Sequence, residues 1–252
     1  MVKDNLKLTA VILTFNCGRY IEKTISKLQL KYLDKIIFTD DGSTDNTINI
    51  IKKHNFSYIQ NNHSGYGGNL LAGLKKAFDE GAMYVIEIHG DGQYLDNNIE
   101  ELMNFIIYNN SDLVLGDRFK NKKATWQNKM PLHIYYGNIF LSFIAKFGLG
   151  FHLNDFFPGY RVYSKNFFHK ILDYKLSTGY QFSFEVIAIA KLLNLKIDSI
   201  PVVCNYKDEK QTAPLWYIFP CLYNLIIRCL QFRMAKIGIN LSVFKKINIL
   251  TK

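Results

Sequence analysis

Several absences narrow the possibilities before any motif is read. No segment repeats at a fixed period, which argues against a solenoid or a propeller. The four cysteines, Cys17, Cys204, Cys221 and Cys229, form no Cys-x-x-Cys pair and no dense framework. They read as reduced thiols of a cytosolic protein. Residues 1–7 contain no apolar signal core, so secretion is not expected. No RNA- or DNA-binding motif is present, and nucleic acid is not an expected partner. No low-complexity linker separates one part of the chain from another before about residue 205. Beyond Glu209 there is no acidic residue at all.

What is present fits an enzyme-sized globular domain. The chain has 252 residues, 48% hydrophobic and 21% charged, which supports a sizeable core and excludes wholesale disorder. The net charge is +10, and the residues after Cys204 contribute eight bases against two acids. A basic tail points to an anionic partner: a lipid surface, a phosphorylated substrate or nucleic acid.

The first half alternates short apolar runs with helical spacing. Strands are expected at 7–14, 35–39, 56–60, 83–88 and 112–116, and helices at 19–30, 45–53, 69–80 and 97–108. The run at 7–14 (KLTAVILT) is apolar nearly throughout, as in a strand buried on both faces. This alternation predicts an α/β fold with a mainly parallel sheet and helices on both faces. Ligands then gather at the carboxyl ends of the strands. The second half predicts helices at 131–147 and 181–193 and a strand at 196–204.

The predicted strand ends carry the candidate chemistry. The first ends Thr14-Phe15-Asn16-Cys17-Gly18, which is not the glycine fingerprint of a dinucleotide fold. The second ends Asp40-Asp41-Gly42-Ser43-Thr44-Asp45. A turn with a helix cap explains the residues after Gly42. It does not explain two adjacent acids, which can accept hydrogen bonds from a nucleobase or ribose. The third leads into Gly65-Tyr66-Gly67-Gly68-Asn69, either a plain glycine-rich loop or a helix start offering amides to an anion. The fourth ends His89-Gly90-Asp91-Gly92-Gln93. His89 and Asp91 are two apart and can face one site as a partial metal shell, a diphosphate supplying further oxygens.

Taken in order, these motifs resemble the family 2 glycosyltransferases of GT-A fold. Asp40 to Asp45 matches the family's DDGSxD turn. Asp91 falls on the last acid of its metal-binding DxD motif, with His89 in place of the first. The resemblance spans about 7–206. Within the family the sequence is most similar to polyprenyl-phosphate sugar transferases of the dolichol-phosphate mannose synthase type, through Leu113 to Phe119, Asp155 to Arg161 and Gln181 to Glu185. Pro158 stands where that subfamily commonly has serine.

The resemblance implies an inverting transfer from a nucleotide-diphosphate sugar, a divalent metal (Mg2+ or Mn2+) and a polyprenyl phosphate acceptor. It implies a donor site of Thr14, Phe15, Asn16, Asp40, Asp41, Gly68 and Asn69. Metal ligands are expected at Asp91, His89 and Gln93, with His89 either a ligand or a support behind one. Asp91, Asp155, Arg118 and Arg161 are the expected catalytic set. The two arginines either hold the acceptor phosphate bidentately or form ion pairs. Asp155 is a base for a hydroxyl acceptor, or orients an arginine. Glu185 is on a helix and has a structural reading.

The stretch 213–227 carries no charge, and Pro214 and Pro220 interrupt it. It is short for a membrane span, which needs about 20 apolar residues. Trp216, Tyr217 and Tyr223 suit a lipid interface, and Arg228, Arg233 and Lys236 suit anionic head groups. The expectation is a catalytic domain over 1–206 and a membrane-associated amphipathic tail over 207–252. This places the protein on the cytoplasmic face of the cell membrane. The alternatives for the tail are a buried helix or an oligomer interface. Those for function are a saccharide hydroxyl acceptor or an inactive sugar-nucleotide binder.

Overall fold

The computed structural model describes residues 6–94, 98–207 and 214–247, without the side chains of Lys122 and Ala124. Its centre is a seven-stranded sheet in the order β3-β2-β1-β4-β6-β5-β7. The strands are β1 (Leu8–Thr14), β2 (Lys35–Asp40), β3 (Ser57–Gln60), β4 (Tyr84–His89), β5 (Leu113–Asp117), β6 (Arg161–Ser164) and β7 (Ile197–Pro201). Strand β6 runs antiparallel to both neighbours and every other pairing is parallel. Every residue of β1 is buried, as its continuous apolar run requires.

Helices cover both faces. On one side lie α1 (Gly18–Lys27), α2 (Thr47–Lys53) and α4 (Ile99–Asn109), packed on Ala10, Ile12, Phe38 and Ile86. On the other lie α3 (Gly65–Asp79), α6 (Leu132–Leu149), α7 (Lys165–Ile171), α8 (Phe182–Leu192) and α9 (Ile218–Lys236), packed on Val11, Leu13, Val85 and Leu115. A short α5 (Lys122–Gln127) follows β5.

The tail differs from its sequence expectation in two ways. The prolines do not break it: Pro214 precedes a tight turn at Leu215–Tyr217, and Pro220 lies in the first turn of α9, where its missing N–H has no helical partner to lose. The helix also runs past the uncharged stretch to Lys236. With its leading turn, Leu215–Lys236 is long and apolar enough to cross a membrane by length and composition, an 18-residue window within it having a mean hydropathy of 1.3. The division at residue 206 is not a break in packing. Leu225, Cys229 and Phe232 of α9 and Val243 and Phe244 beyond it belong to the same buried cluster as the sheet.

An ion pair ties this helix to the core. Glu185 on α8 has no exposed surface, and Arg228 donates to it through Nε at 2.7 Å. The Ser177 amide and hydroxyl donate to the same carboxylate at 2.8 and 2.7 Å. Removing one partner of a buried pair leaves an uncompensated charge. Arg228→Ala is therefore expected to cost about 3 kcal/mol or more in chemical denaturation. A loss below about 1 kcal/mol, the range of exposed pairs, would show that the pair is solvated.

Candidate active site

The sheet register brings three strand ends together. Thr14 pairs with Asp40 across β1 and β2, and Leu13 pairs with His89 across β1 and β4. Asp40 is fully buried. It accepts hydrogen bonds from the Thr14 hydroxyl (3.0 Å), the Gly42 amide (3.1 Å), the Ser43 amide (2.7 Å) and the Ser43 hydroxyl. Asn16 locks the same turn from the β1 side. Its amide donates to the Ser43 hydroxyl at 2.8 Å, and its Oδ1 accepts from the Thr44 amide at 2.9 Å. The sequence expects Asp40 and Asn16 at the donor; in the structure both also frame this turn.

Asp41 faces the opposite way. Its Oδ1 accepts from the Ser64 amide and hydroxyl, both at 2.7 Å, and its Oδ2 accepts from the Gly65 amide at 2.9 Å. The glycine-rich segment is the first turn of α3, and three of its amides have partners: Gly65 donates to Asp41, and Gly67 and Gly68 donate to the Thr178 carbonyl at 2.7 and 3.1 Å. The glycines answer to packing: Gly65 has φ +76, and a Cβ on Gly67 would stand 2.6 Å from both Phe182 Cβ and the Ser177 carbonyl oxygen. Gly68 does not line the donor pocket. Asn69 does, while donating to the Thr39 carbonyl at 3.0 Å.

A cavity of about 260 Å³ opens at these strand ends, lined by Leu13, Thr14, Phe15, Cys17, Asp41, Tyr66, Asn69, His89, Gly90 and Asp91. Expected donor residues Thr14, Phe15, Asp41 and Asn69 thus share one pocket with His89 and Asp91. Gln93 is not on its lining, and its Oε1 lies 3.6 Å from the Cys204 thiol. Burial pushes the Cys17 thiol up to about 12, so this pocket cysteine is no thiolate nucleophile. Burial also lowers the His89 pKa. The hydrogen bond from Nε2 to Glu87 (3.2 Å) and the charges of Asp91 and Glu87 outweigh it, and the net direction is upward.

Among the described residues no three His, Cys, Asp or Glu side chains gather as a metal site. His89 and Asp91 nonetheless face one cavity that has room for a diphosphate. The donor set therefore fits a divalent ion held by two protein ligands and completed by ligand oxygens.

The two expected phosphate-binding arginines are enclosed. Arg161, at the start of β6, has no exposed surface. It donates to the carbonyls of Pro158 (3.0 Å), Ser183 (2.7 Å) and Phe156 (3.3 Å). Arg161 has no exposed edge and is not on the lining of the pocket at the strand ends. Arg118 follows β5 and grips Asp155 through Nε (2.6 Å) and Nη2 (2.9 Å). It also donates to the Tyr206 hydroxyl (3.1 Å), Asn138 Oδ1 (3.3 Å) and the Phe157 carbonyl (3.2 Å). Asp155 has no exposed side-chain surface, and its oxygens already accept from Arg118 and the Phe157 amide. A base for a hydroxyl needs a free, reachable oxygen, so Asp155 is not placed as one. What the structure shows is its ion pair with Arg118.

A second cavity of about 290 Å³ lies between α6, α8 and α9, and sequence reading missed it. Ile134, Leu141, Phe157, Phe184, Ile218 and Leu225 line it, with Asn138 and Arg228 among its few polar groups. Of its lining residues, Asn138 and Phe157 accept hydrogen bonds from Arg118. Outside it, α6 exposes Tyr136, Phe140, Phe143 and Phe147, and α9 with its leading turn exposes Trp216, Phe219, Tyr223 and Leu230. The signal for this face was present at 131–147, an aromatic-rich helix. What was missing was its partner, because α6 and α9 meet only in three dimensions.

The model of glycosyl transferase family 2 matches residues 9–172, more than half of the chain. A UDP-N-acetylglucosamine–dolichyl-phosphate N-acetylglucosaminyltransferase from Methanococcus voltae is 29% identical over 245 residues, covering 90% of this chain and 96% of that protein. A low-salt glycan biosynthesis hexosyltransferase from Haloferax volcanii is 24% identical over 192 residues, covering 76% of this chain and 44% of that protein. Glucosyl-3-phosphoglycerate synthase from Mycobacterium tuberculosis, solved with Mn2+, UDP-glucose and phosphoglyceric acid, superposes with a TM-score of 0.63 at 14% identity. That superposition covers 95% of this chain and 82% of the other, and it shows the GT-A fold. On the extent of the family match, the chain is a glycosyltransferase and belongs to family 2.

Proposed function

We propose that this enzyme moves a sugar from a nucleotide-diphosphate sugar to a polyprenyl phosphate, with inversion, at the cytoplasmic face of a membrane. One observation carries the reading: the fold holds both a polar pocket at the strand ends and an apolar cavity under an exposed aromatic face, the second walled by Asn138 and Phe157, which accept hydrogen bonds from Arg118. The similarity to the Methanococcus enzyme, whose name specifies a dolichyl phosphate, supports the acceptor class.

On this reading the nucleotide and diphosphate occupy the polar pocket. Phe15, 53% exposed at its rim, offers a face for the base. Asp91 and His89 hold the divalent ion, Mg2+ or Mn2+. When bound, that ion neutralises the charge growing on the leaving diphosphate. The acceptor phosphate arrives from the side of the apolar cavity, which takes the first part of its chain. One phosphate oxygen forms the bond to the anomeric carbon as the bond to the diphosphate breaks on the opposite face, which inverts the centre. A phosphate is already ionised and needs no base. The enclosed state of Asp155 therefore favours it over a saccharide hydroxyl. The Arg118–Asp155 pair is neutral as a whole. Lys120, Lys123 and Lys129, all exposed, supply the surplus positive charge along this approach.

The exposed faces of α6 and α9 complete the proposal. Neither helix carries an acid, while Lys146, Arg233 and Lys236 lie along them. An apolar face of this size on a soluble domain marks a binding surface. Its charge suits anionic lipid, each base near the surface contributing about 1 kcal/mol. The helices lie in the plane of the interface, with the donor pocket facing the cytoplasm.

Two measurements test this. With UDP-N-acetylglucosamine first in a donor panel and a polyprenyl phosphate as acceptor, released nucleoside diphosphate should require both substrates. It should stop with chelator and fall at least about 100-fold in Asp91→Asn. Turnover indifferent to chelator would remove the metal. In vesicle sedimentation, the protein should bind anionic liposomes, with only part released by high salt because apolar burial is salt-independent. The combined variant Phe143→Ser, Phe219→Ser and Leu230→Ser should lose vesicle binding and keep nucleotide binding. Full vesicle binding by that variant would place the docking surface elsewhere.

A further inference from the structure

Glu87, on the strand that carries His89, is a buried carboxylate that the proposed reaction leaves unused. It lies on β4 two residues before His89, so both side chains leave the same face of the strand. It has no exposed surface. Burying a carboxylate is costly unless it is paired and hydrogen-bonded. Here the Tyr66 hydroxyl donates at 2.6 Å, the Tyr163 hydroxyl at 2.7 Å, and His89 Nε2 lies at 3.2 Å. Arg161, its register partner on β6, adds a nearby positive charge.

The chemistry of this contact is directional. An ionised carboxylate only accepts hydrogen bonds, so the ring nitrogen that faces it carries a proton. That nitrogen is Nε2. No hydrogen bond reaches Nδ1 among the described residues, the side chain keeps 28% of its surface exposed, and the ring lines the donor pocket with Asp91. The ring is also held in place. Tyr66 and Tyr94 stand edge-on to it, each at 6.1 Å between centroids. A Cβ on Gly159 would lie 2.5 Å from Cε1 and 2.7 Å from Nε2, so the ring occupies the space that a side chain at 159 would fill.

Building on the donor-site reading above, we infer that Glu87 is a positioning residue that keeps His89 protonated at Nε2 and so makes Nδ1 the atom offered to the divalent ion. A carboxylate behind a metal-bound histidine commonly plays this part, fixing tautomer and ring orientation. The same arrangement explains how an imidazole serves where the family motif has an acid. It also predicts a preference for Mn2+ over Mg2+, since imidazole suits the softer ion better.

The test uses the full chain with Mn2+ and UDP. Pulsed electron paramagnetic resonance of bound Mn2+ should show coupling to an imidazole nitrogen, absent in His89→Ala. Glu87→Gln keeps the shape but brings an amide that allows either ring nitrogen to be protonated. It should weaken Mn2+-dependent UDP binding in calorimetry by about tenfold or more, leaving metal-free UDP binding unchanged. The same substitution made in His89→Ala should have no further effect. Should Glu87→Gln fail to fold, Gly159→Ala presses a methyl group on Cε1 and Nε2 of the ring and should abolish the nitrogen coupling. Mn2+ bound with UDP but without nitrogen coupling in the unaltered protein would overturn the inference and leave the donor site standing. An equal loss from Glu87→Gln with and without His89 would reduce Glu87 to a structural role, overturning it as well. If UDP brings no Mn2+ to the protein at all, the donor-site metal and this inference fall together.

Discussion

The buried carboxylate of Asp40 is the interaction on which the donor pocket depends. It sits where β1 and β2 end side by side, and it gathers Thr14, Gly42 and Ser43 around itself. Hydrogen bonds to a charged acceptor are stronger than neutral ones, and several of them offset the desolvation of one carboxylate. With the turn fixed, Asp41 points away from Asp40 and grips the start of α3. One acid therefore sets the strand ends and the next sets the helix that forms the pocket's far wall. The repulsion between adjacent carboxylates is resolved by giving each its own set of donors.

The same device recurs wherever a charge is buried. Arg118 with Asp155 ties the end of β5 to the loop before β6, and Arg228 with Glu185 ties α9 to α8. Arg161 is held by carbonyl oxygens and lies opposite Glu87 across the β4–β6 ladder. Buried pairs contribute little net stability relative to apolar replacements, yet losing one partner is costly. They act here as geometric constraints, each fixing an irregular segment that apolar packing alone would leave with several arrangements.

The first five strands were legible because each is an apolar run flanked by turn residues, and the helices between them showed their spacing. Strand β6 was not, because Arg-Val-Tyr-Ser is four residues long and begins with a charge. Its arginine reads as exposed until the fold supplies three carbonyls for it. Glu87 was hidden for the same reason: an acid between two isoleucines reads as a solvent-facing position of a strand. The turn at 40–45 and the pair His89 and Asp91 were visible as motifs. Their roles were not, since whether a carboxylate meets ligand or backbone depends on the loops brought to it. The glycines of 65–68 read either as a plain loop or as a helix start offering amides to an anion, and only the approach of Ser177, Thr178 and Phe182 shows that packing requires them. The second cavity arises from three helices distant in sequence, and no local pattern encodes such an assembly.

A short loop joins the two halves of the proposed site. Ser177 donates to Glu185, which holds Arg228 on α9, and the neighbouring Thr178 carbonyl accepts from Gly67 and Gly68 at the start of α3. The helix proposed to lie on the membrane and the helix that walls the donor pocket thus rest on adjacent residues of one segment. Displacement at an anomeric carbon requires the attacking oxygen at roughly 3–3.5 Å and in line with the leaving group. On the proposed reading a lipid phosphate is confined to the depth of the membrane surface, so that distance would be set by how rigidly the proposed docking helix is joined to the pocket at the strand ends. A freely hinged tail would leave it to chance. Packing α9 into the same core as the sheet, with a buried ion pair beside the Ser177–Thr178 segment, fixes it in the fold.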